Sequence, residues 1–249
     1  FGITGLDAVR EKCGDNGEIV VLHEALGFGH CALMLAVPET WADVQNMNDL
    51  LARQQRQPDP FRVATRFPNL TGSFLALQGL SNVRLIDSEG TLEVAPTIGY
   101  ADLISDLVST GTTLRDNRLR PLADGVILKS QAVLIGNRPA LQQRPEVLQV
   151  ARVLLEYIEA HLRAQGSYLV FANVRGESPE AIARRMRDQP HLSGLQGPTI
   201  SSVVTRDAQS WYDVNIVVRK DQLMQTIIEL RAVGGSGVVV TPVTYIFEE

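Results

Sequence analysis

The stretch Asp106-Leu-Val-Ser-Thr-Gly-Thr-Thr-Leu114 constrains this chain more than any other. A short apolar run, Leu107-Val108, follows an acidic residue and breaks at Ser109-Thr110-Gly111-Thr112-Thr113; beyond it, Leu114–Asn117 is polar and helix-compatible. A strand that ends in small hydroxyl residues around a glycine, with a helix start beyond, suits an anion. Backbone N–H groups can converge on phosphate oxygens, Gly111 lets the main chain come close, and the helix N-terminus adds partial positive charge. That placement contributes roughly 0.3–1 kcal/mol per unit charge when exposed. The hydroxyls of Ser109, Thr110, Thr112 and Thr113 add donors. The pattern is neither a Walker loop nor a dinucleotide fingerprint, because no Gly-Lys-Ser/Thr follows Gly111 and no further glycines stand at the required spacing. On spacing alone a second reading stays open: a strand-to-helix turn whose threonines cap the helix.

Composition narrows the partners. The chain has 249 residues, 45% hydrophobic and 20% charged, with a formal charge of −5, so the basic footprint of a nucleic-acid binder is missing. The densest basic cluster, Arg184-Arg185-Met186-Arg187, reads as a solvated helix face. Cys13 and Cys31 are too few for a disulfide framework and lack metal spacing. His23, His30, His161 and His191 form no close ligand pair. No apolar run reaches membrane-spanning length and no secretory signal is present, so no membrane role is expected. The opening Phe1-Gly-Ile-Thr-Gly5 lacks Met and reads like the end of a buried strand, so upstream residues are expected.

Periodicity divides the chain into four segments. Over 1–60 it predicts strand, helix Leu6–Lys12, strand Glu18–Leu22 and strand Cys31–Val37. A helix entered at Pro38 follows, with Trp41, Val44, Met47 and Leu50 on one face, and then a polar linker at Gln54–Pro60. Over 61–125 strands Phe61–Thr65, Val83–Asp87 and Thr91–Ala95 alternate with helices Leu70–Leu77 and Ile98–Ile104, a turn at Glu89-Gly90 intervening, and the Asp106 strand follows. That alternation implies a mostly parallel sheet with ligands at the strands' carboxyl ends. Over 126–165 two short strands, Val126–Leu128 and Ala132–Ile135, return the chain to the first part, and Pro145 opens the longest helix. Over 166–249 the order is β-α-β-β-α-β, the ferredoxin-like arrangement: Tyr168–Val174, a helix capped by Ser178 with Pro179 at its first position, Thr199–Thr205, Tyr212–Arg219 after a turn at Asp207–Ser210, Gln222–Val233, and Val238–Phe247. Gly234–Gly237 reads as a flexible helix C-cap.

With those segments in place, the ordered motifs resemble the long form of ATP phosphoribosyltransferase over essentially the whole chain. They are Gly2-Ile-Thr-Gly5; Leu26-Gly-Phe-Gly29 with Ala36-Val-Pro38; Arg62-Val-Ala-Thr65; Thr91–Pro96; Gly99–Leu114; Leu195-Gln-Gly-Pro-Thr199; and Gly235-Ser-Gly-Val238. The resemblance implies an α/β fold: a two-lobed, periplasmic-binding-protein-like catalytic core plus a C-terminal ferredoxin-like regulatory domain. The first lobe would span 1–60 and 126–165, the second 61–125, and the regulatory domain 166–249. It also implies about one more half-domain before Gly2.

The implied reaction condenses ATP with phosphoribosyl pyrophosphate in the presence of Mg²⁺, as the first step of histidine biosynthesis, with histidine as feedback inhibitor. Asp106 and Glu93 would be catalytic. Ser109, Thr110, Gly111, Thr112, Thr113 and Leu114 would join Asp106 in holding phosphoribosyl pyrophosphate. Gly2, Thr4 and Gly5 would form the nucleotide wall of the cleft, Asp102 a metal contact, and Leu195, Thr199 and Gly237 the histidine site. A homo-oligomer, dimer or hexamer, and a cytoplasmic location, or plastid stroma in a plant, are the corresponding expectations. The rival is a non-catalytic two-lobed ligand-binding protein or regulatory paralogue.

Overall fold

In the computed structural model, which describes residues 1–13, 17–88, 90, 92–205 and 210–248, the chain forms two compact units, Phe1–Ala151 and Arg152–Glu249. The first opens with β1 (Gly2–Gly5), α1 (Leu6–Lys12), β2 (Ile19–His23), β3 (Cys31–Pro38) and α2 (Met47–Gln54). It continues with β4 (Phe61–Thr65), α3 (Pro68–Leu77), β5 (Val83–Asp87), β6 (Leu103–Val108), α4 (Thr112–Asp116), β7 (Leu119–Ser130), β8 (Ala132–Asn137) and α5 (Arg138–Gln143). The long α6 (Pro145–Ala164) spans the division at 151/152.

Two sheets make up this unit. β1-β8-β2 is small and antiparallel, while β5-β4-β6-β3-β7 is mixed. β5, β4 and β6 pair in parallel, and β3 is antiparallel to both β6 and β7. The expected mostly parallel sheet is thus half right. β3 and α2 also overturn the boundary expected at residue 60: β3 lies inside the larger sheet, and Met47 and Leu50 of α2 share a core with Phe61, Val63, Leu75 and Leu103. The polar Gln54–Pro60 stretch marks a surface loop rather than a break between lobes. The chain crosses between the sheets at 24–30 and again at Gln131, not at Val126. The crossings are bonded side by side, Leu26 N–H to the Ala132 carbonyl at 3.1 Å and Ala132 N–H to that of Phe28 at 3.0 Å.

Other expectations fail for local reasons. The helix expected from Pro38 begins only at Met47, because Asn46 supplies a capping box with Asp49, and Asp124 accepts the Met47 N–H at 2.8 Å. The expected strand Thr91–Ala95 is a single 3₁₀ turn, Leu92–Val94, which buries Leu92 and Ala95 three residues apart. The expected helix Ile98–Ile104 is a turn leading into β6, where the consecutive Leu103 and Ile104 are both buried. Glu89, Thr91 and 206–209 lie outside the described residues, and with them parts of the turns expected at Glu89-Gly90 and Asp207–Ser210 and the start of the strand expected from Thr91.

α1 braces the two sheets through one face. Asp7 and Glu11 are four residues apart and so point the same way, and each is 7% exposed. The Asp7 carboxylate accepts the Ser130 hydroxyl at the end of β7. The Glu11 carboxylate accepts the Asn69 and Leu70 N–H groups, both at 2.9 Å, and so caps α3 from a distant part of the chain. Gly5 serves this brace, since a Cβ there would lie 2.3 Å from Asp7 Oδ1.

In the second unit β9 (Ser167–Arg175), α7 (Pro179–Arg187), β10 (Thr199–Val203), β11 (Trp211–Arg219), α8 (Leu223–Ala232) and β12 (Gly235–Pro242) form a sheet of order β10-β11-β9-β12. All its pairs are antiparallel, as a ferredoxin-like fold requires. Val170, Val174, Ile182, Met186, Val214 and Leu230 fill its core. Ser178 caps α7 by accepting the Ala181 N–H. The last strand ends at Pro242 rather than Phe247, since proline cannot donate to the ladder. Beyond it, Tyr245 and Phe247 pack edge-on against Tyr157 of α6. Gly234 alone ends α8, with φ 92°, and β12 begins at the next residue. Glu229, only 4% exposed, holds the α7–β10 loop by accepting the His191 N–H at 2.9 Å and meeting its ring nitrogen at 2.7 Å.

Replacing Glu11 by Ala leaves the first turn of α3 uncapped and is expected to cost about 1–2 kcal/mol, read as a lower urea midpoint. The E11Q chain, which keeps one oxygen acceptor, should fall between E11A and the parent.

Candidate functional site

β6 delivers Asp106 and then the turn Ser109–Gly111 to α4. Gly111 is the α4 N-cap in the left-handed region, φ 72° and ψ 6°, which a residue with a Cβ adopts only at a cost near 1 kcal/mol or more. Thr110 Oγ1 takes the Thr112 N–H at 3.4 Å and lies 3.1 Å from Thr112 Oγ1. The capping reading and the anion-turn reading thus describe the same turn: one threonine closes it, and the first N–H groups of α4 have no intrahelical partner. Arg115, one helical turn on, folds back to Thr112 Oγ1 at 3.2 Å.

A cavity of about 110 Å³ sits in the crook of the turn, lined by Glu93, Asp106, Ser109, Thr110, Thr113 and Leu114 among others. The structure therefore gathers both carboxylates expected to be catalytic and the expected hydroxyl turn around one space. Burial pushes the Asp106 carboxyl above its ordinary value; the Leu107 N–H and the Arg66 charge pull it back, and Glu93 pushes it up again. The backbone on either side of Arg66 is tied to a buried hydroxyl chain at the end of β4. Thr65 Oγ1 accepts the Phe67 N–H at 3.0 Å, and Thr71 bridges Thr65 to Ser105 of β6.

Alongside lies a larger cavity of about 740 Å³, lined by Asp7, Glu11 and Lys12 of α1, by Arg66 and Asn69, and by Asp87 and Leu107. It opens at the carboxyl ends of β4, β5 and β6, where ligands of such sheets bind. A match to the family model described as ATP phosphoribosyltransferase covers residues 1–159, and one to the HisG C-terminal domain covers 164–245.

The chain belongs to the ATP phosphoribosyltransferase family.

Among its relatives is ATP phosphoribosyltransferase 2, chloroplastic, of Arabidopsis thaliana, 45% identical over 256 residues that cover all of this chain and 62% of that one. The ATP phosphoribosyltransferase of Nitrobacter winogradskyi is 35% identical over 259 residues, covering all of this chain and 74% of the other. A solved ATP phosphoribosyl transferase complex from Thermotoga maritima aligns with a TM-score of 0.48 and 26% identity, over 64% of this chain and 69% of that one. The chain thus spans about three fifths of the length of the chloroplastic relative.

For this family member, several residues expected at the site lie elsewhere. Asp102 stands four residues before Asp106, about 13 Å away along the strand, and is taken by Arg62. The guanidinium meets both its oxygens at 2.8 and 3.2 Å, and the Arg62 N–H adds a third bond at 2.8 Å. Partial burial pushes the Asp102 carboxyl up, but the bonds and charge of Arg62 outweigh it and hold it below its ordinary value. Arg62 thus occupies both Asp102 oxygens, which leaves the metal contact expected there without support from the geometry. Gly2, Thr4 and Gly5 lie in β1 and line neither cavity; α1, the next element, supplies the wall instead. Thr199 and Gly237 occupy opposite edge strands of the second unit's sheet, three strand spacings or about 14 Å apart. One chain therefore does not bring them together with Leu195, which is exposed in the α7–β10 loop.

Arg66 and Arg115 were missed. Arg115 was findable from helical spacing after Gly111, and Arg66 from its place just past the end of a parallel strand.

The raised Asp106 value has a consequence for stability. In the window between the ordinary and the raised value, the folded chain keeps a proton that the unfolded chain has lost. Stability therefore falls as pH rises through that window, and the ionised carboxylate is a net cost at neutral pH. The D106N chain is expected to melt above the parent at pH 7, with the gap closing below the ordinary aspartate range. A D106N chain that melts well below the parent at pH 7 would overturn this.

Proposed function

We propose that the chain carries the phosphoribosyl-transfer site of an ATP phosphoribosyltransferase, which joins ATP to 5-phosphoribosyl 1-pyrophosphate and releases pyrophosphate at the start of histidine biosynthesis. The supporting observation is the loop: hydroxyls, a left-handed glycine and a helix start at the end of β6, beside two carboxylates, in a member of this family. Ser109, Thr110, Thr112 and Thr113 hold the 5-phosphate with the N–H groups around Gly111 and Leu114, and Arg115 supplies positive charge. Asp106 accepts hydrogen bonds from the ribose hydroxyls. The adenine N1 lone pair forms the bond to C1 as the C1–O bond breaks and its electron pair leaves with pyrophosphate. Positive charge grows on the sugar, and the carboxyl groups of Asp106 and Glu93 favour it without any covalent intermediate.

Mg²⁺ belongs to this reading. Asp106 and Glu93 line one cavity, and one or two carboxylates with substrate phosphates are the usual Mg²⁺ environment. These two residues would hold the ion, which when bound neutralises phosphate charge. ATP, phosphoribosyl pyrophosphate and inhibitory histidine are the partners, in a homo-oligomer. No described helix is long and apolar enough to cross a membrane; a plastid-stromal location fits the chloroplastic relatives' names, and a cytoplasmic one is the reading outside plants.

The direct test is pyrophosphate release by the full-length protein with both substrates and Mg²⁺. Turnover is expected, and D106N should lower kcat by about 100-fold or more, the scale of losing one transition-state electrostatic contact. No turnover in the parent would return the chain to a binding or regulatory role, and unchanged turnover in D106N would remove the carboxylate from the mechanism.

Histidine is expected to act through residues 166–249. The L195A and T199A chains should need more histidine for half-inhibition while keeping uninhibited turnover. Inhibition curves identical to the parent's in both would show that histidine acts elsewhere.

A further inference from the structure

A loop that takes the 5-phosphate leaves the diphosphate at the other end of the same substrate to be held, and the sheet register offers a place. Val108, Ala32 and Lys129 are direct partners across the neighbouring strands β6, β3 and β7. Directly opposed residues share a face of the sheet, so Lys129 stands on the face of Val108, with about 10 Å between the two backbones. A cavity of about 460 Å³ adjoins this row, lined by His30, Ala32, Val108, Ser109, Lys129 and Gln131 among others. Val108 and Ser109 also line the cavity in the crook of the loop, so the two spaces meet at shared residues.

Charge separates this cavity from the larger one beside α1. That one sets Asp7, Glu11 and Asp87 against Lys12 and Arg66, a poor home for a polyanion. None of the residues lining the Lys129 cavity is acidic; the buried carboxylate of Asp7 is bonded to the lining Ser130, and burial together with that carboxylate's charge pushes the lining Cys31 thiol up. Lys129 is exposed and has no salt-bridge partner among the described residues. Gln131 turns its carbonyl oxygen to the Gly27 N–H at 3.3 Å, which leaves its amide NH₂ as a donor. Ser109 adds a hydroxyl. A free cation with neutral donors and no lining carboxylate is what a diphosphate asks of a protein surface.

We propose that this cavity is a diphosphate subsite, in which Lys129 binds the pyrophosphate end of the substrate whose 5-phosphate lies in the Ser109–Thr113 loop. The subsite rests on the phosphoribosyl reading of that loop. Lys129 bonds the outgoing diphosphate and stabilises the negative charge that gathers on the leaving oxygen.

The test is calorimetric titration of the full-length parent, K129A and K129R proteins with two probes, ribose 5-phosphate and magnesium pyrophosphate. K129A should weaken magnesium pyrophosphate about tenfold, the scale of one hydrogen bond to a charged group, and raise the KM for phosphoribosyl pyrophosphate. Ribose 5-phosphate binding should be unchanged, and K129R should recover most of the loss. Equal pyrophosphate affinity in parent and K129A, or none in either, overturns the subsite while intact ribose 5-phosphate binding leaves the loop reading standing. A parent that binds neither probe removes both.

Discussion

The first unit depends on the brace that α1 makes between two sheets. Two short chain crossings join those sheets covalently, and crossings alone would leave their relative placement to two loops. Asp7 and Glu11, one turn apart on a seven-residue helix, fix it at two points: Ser130 at the end of β7, and the bare N–H groups of α3. Both contacts are buried and one partner of each is a carboxylate, so losing either partner strands a charge or uncapped donors away from water. The larger cavity, which shares Leu107 with the Asp106 loop, has α1 as one wall and the β4–α3 turn as the other. The same helix therefore holds the fold together and sets the width of that cavity.

That arrangement explains why some of the chain was legible in its sequence and some was not. β4, α3 and β5, the loop after Asp106 and the β-α-β-β-α-β order of the second unit could be read because their signals are local: apolar alternation, proline at a helix start, glycine at a turn. What could not be read is pairing between distant segments. Nothing in Cys31–Pro38 says that it joins the sheet of β6 and β7 rather than that of β1 and β2, because a buried apolar run fits either. Asp102 looked like a free carboxylate until the register set it beside Arg62. Thr91–Ala95 reads as a strand in sequence, yet burial follows the three-residue spacing of Leu92 and Ala95. The family resemblance expects Gly2, Thr4 and Gly5 of β1 at the cleft, whereas residues of α1, the next element, line the larger cavity.

The candidate site also shows how the fold tolerates groups that work against it. Asp106 is partly desolvated and stands near Glu93, and both effects disfavour its ionised form. Gly111 gives up side-chain packing for a left-handed turn. Neither feature serves stability in the free protein, and the surroundings compensate: a fully buried chain of three hydroxyls ties the end of β4 to β6, and β6 is flanked by strands on both sides. A carboxylate that is costly when alone gains most from a ligand that brings hydroxyl donors and, later, positive charge to it. In the proposed phosphoribosyl transfer, the energy withheld from folding at Asp106 would be released when the sugar arrives, and more of it when C1 begins to lose its leaving group. Placing such a carboxylate on the central stretch of a braced sheet, rather than on a free loop, keeps that gain from being lost to movement of the residue away from its ligand.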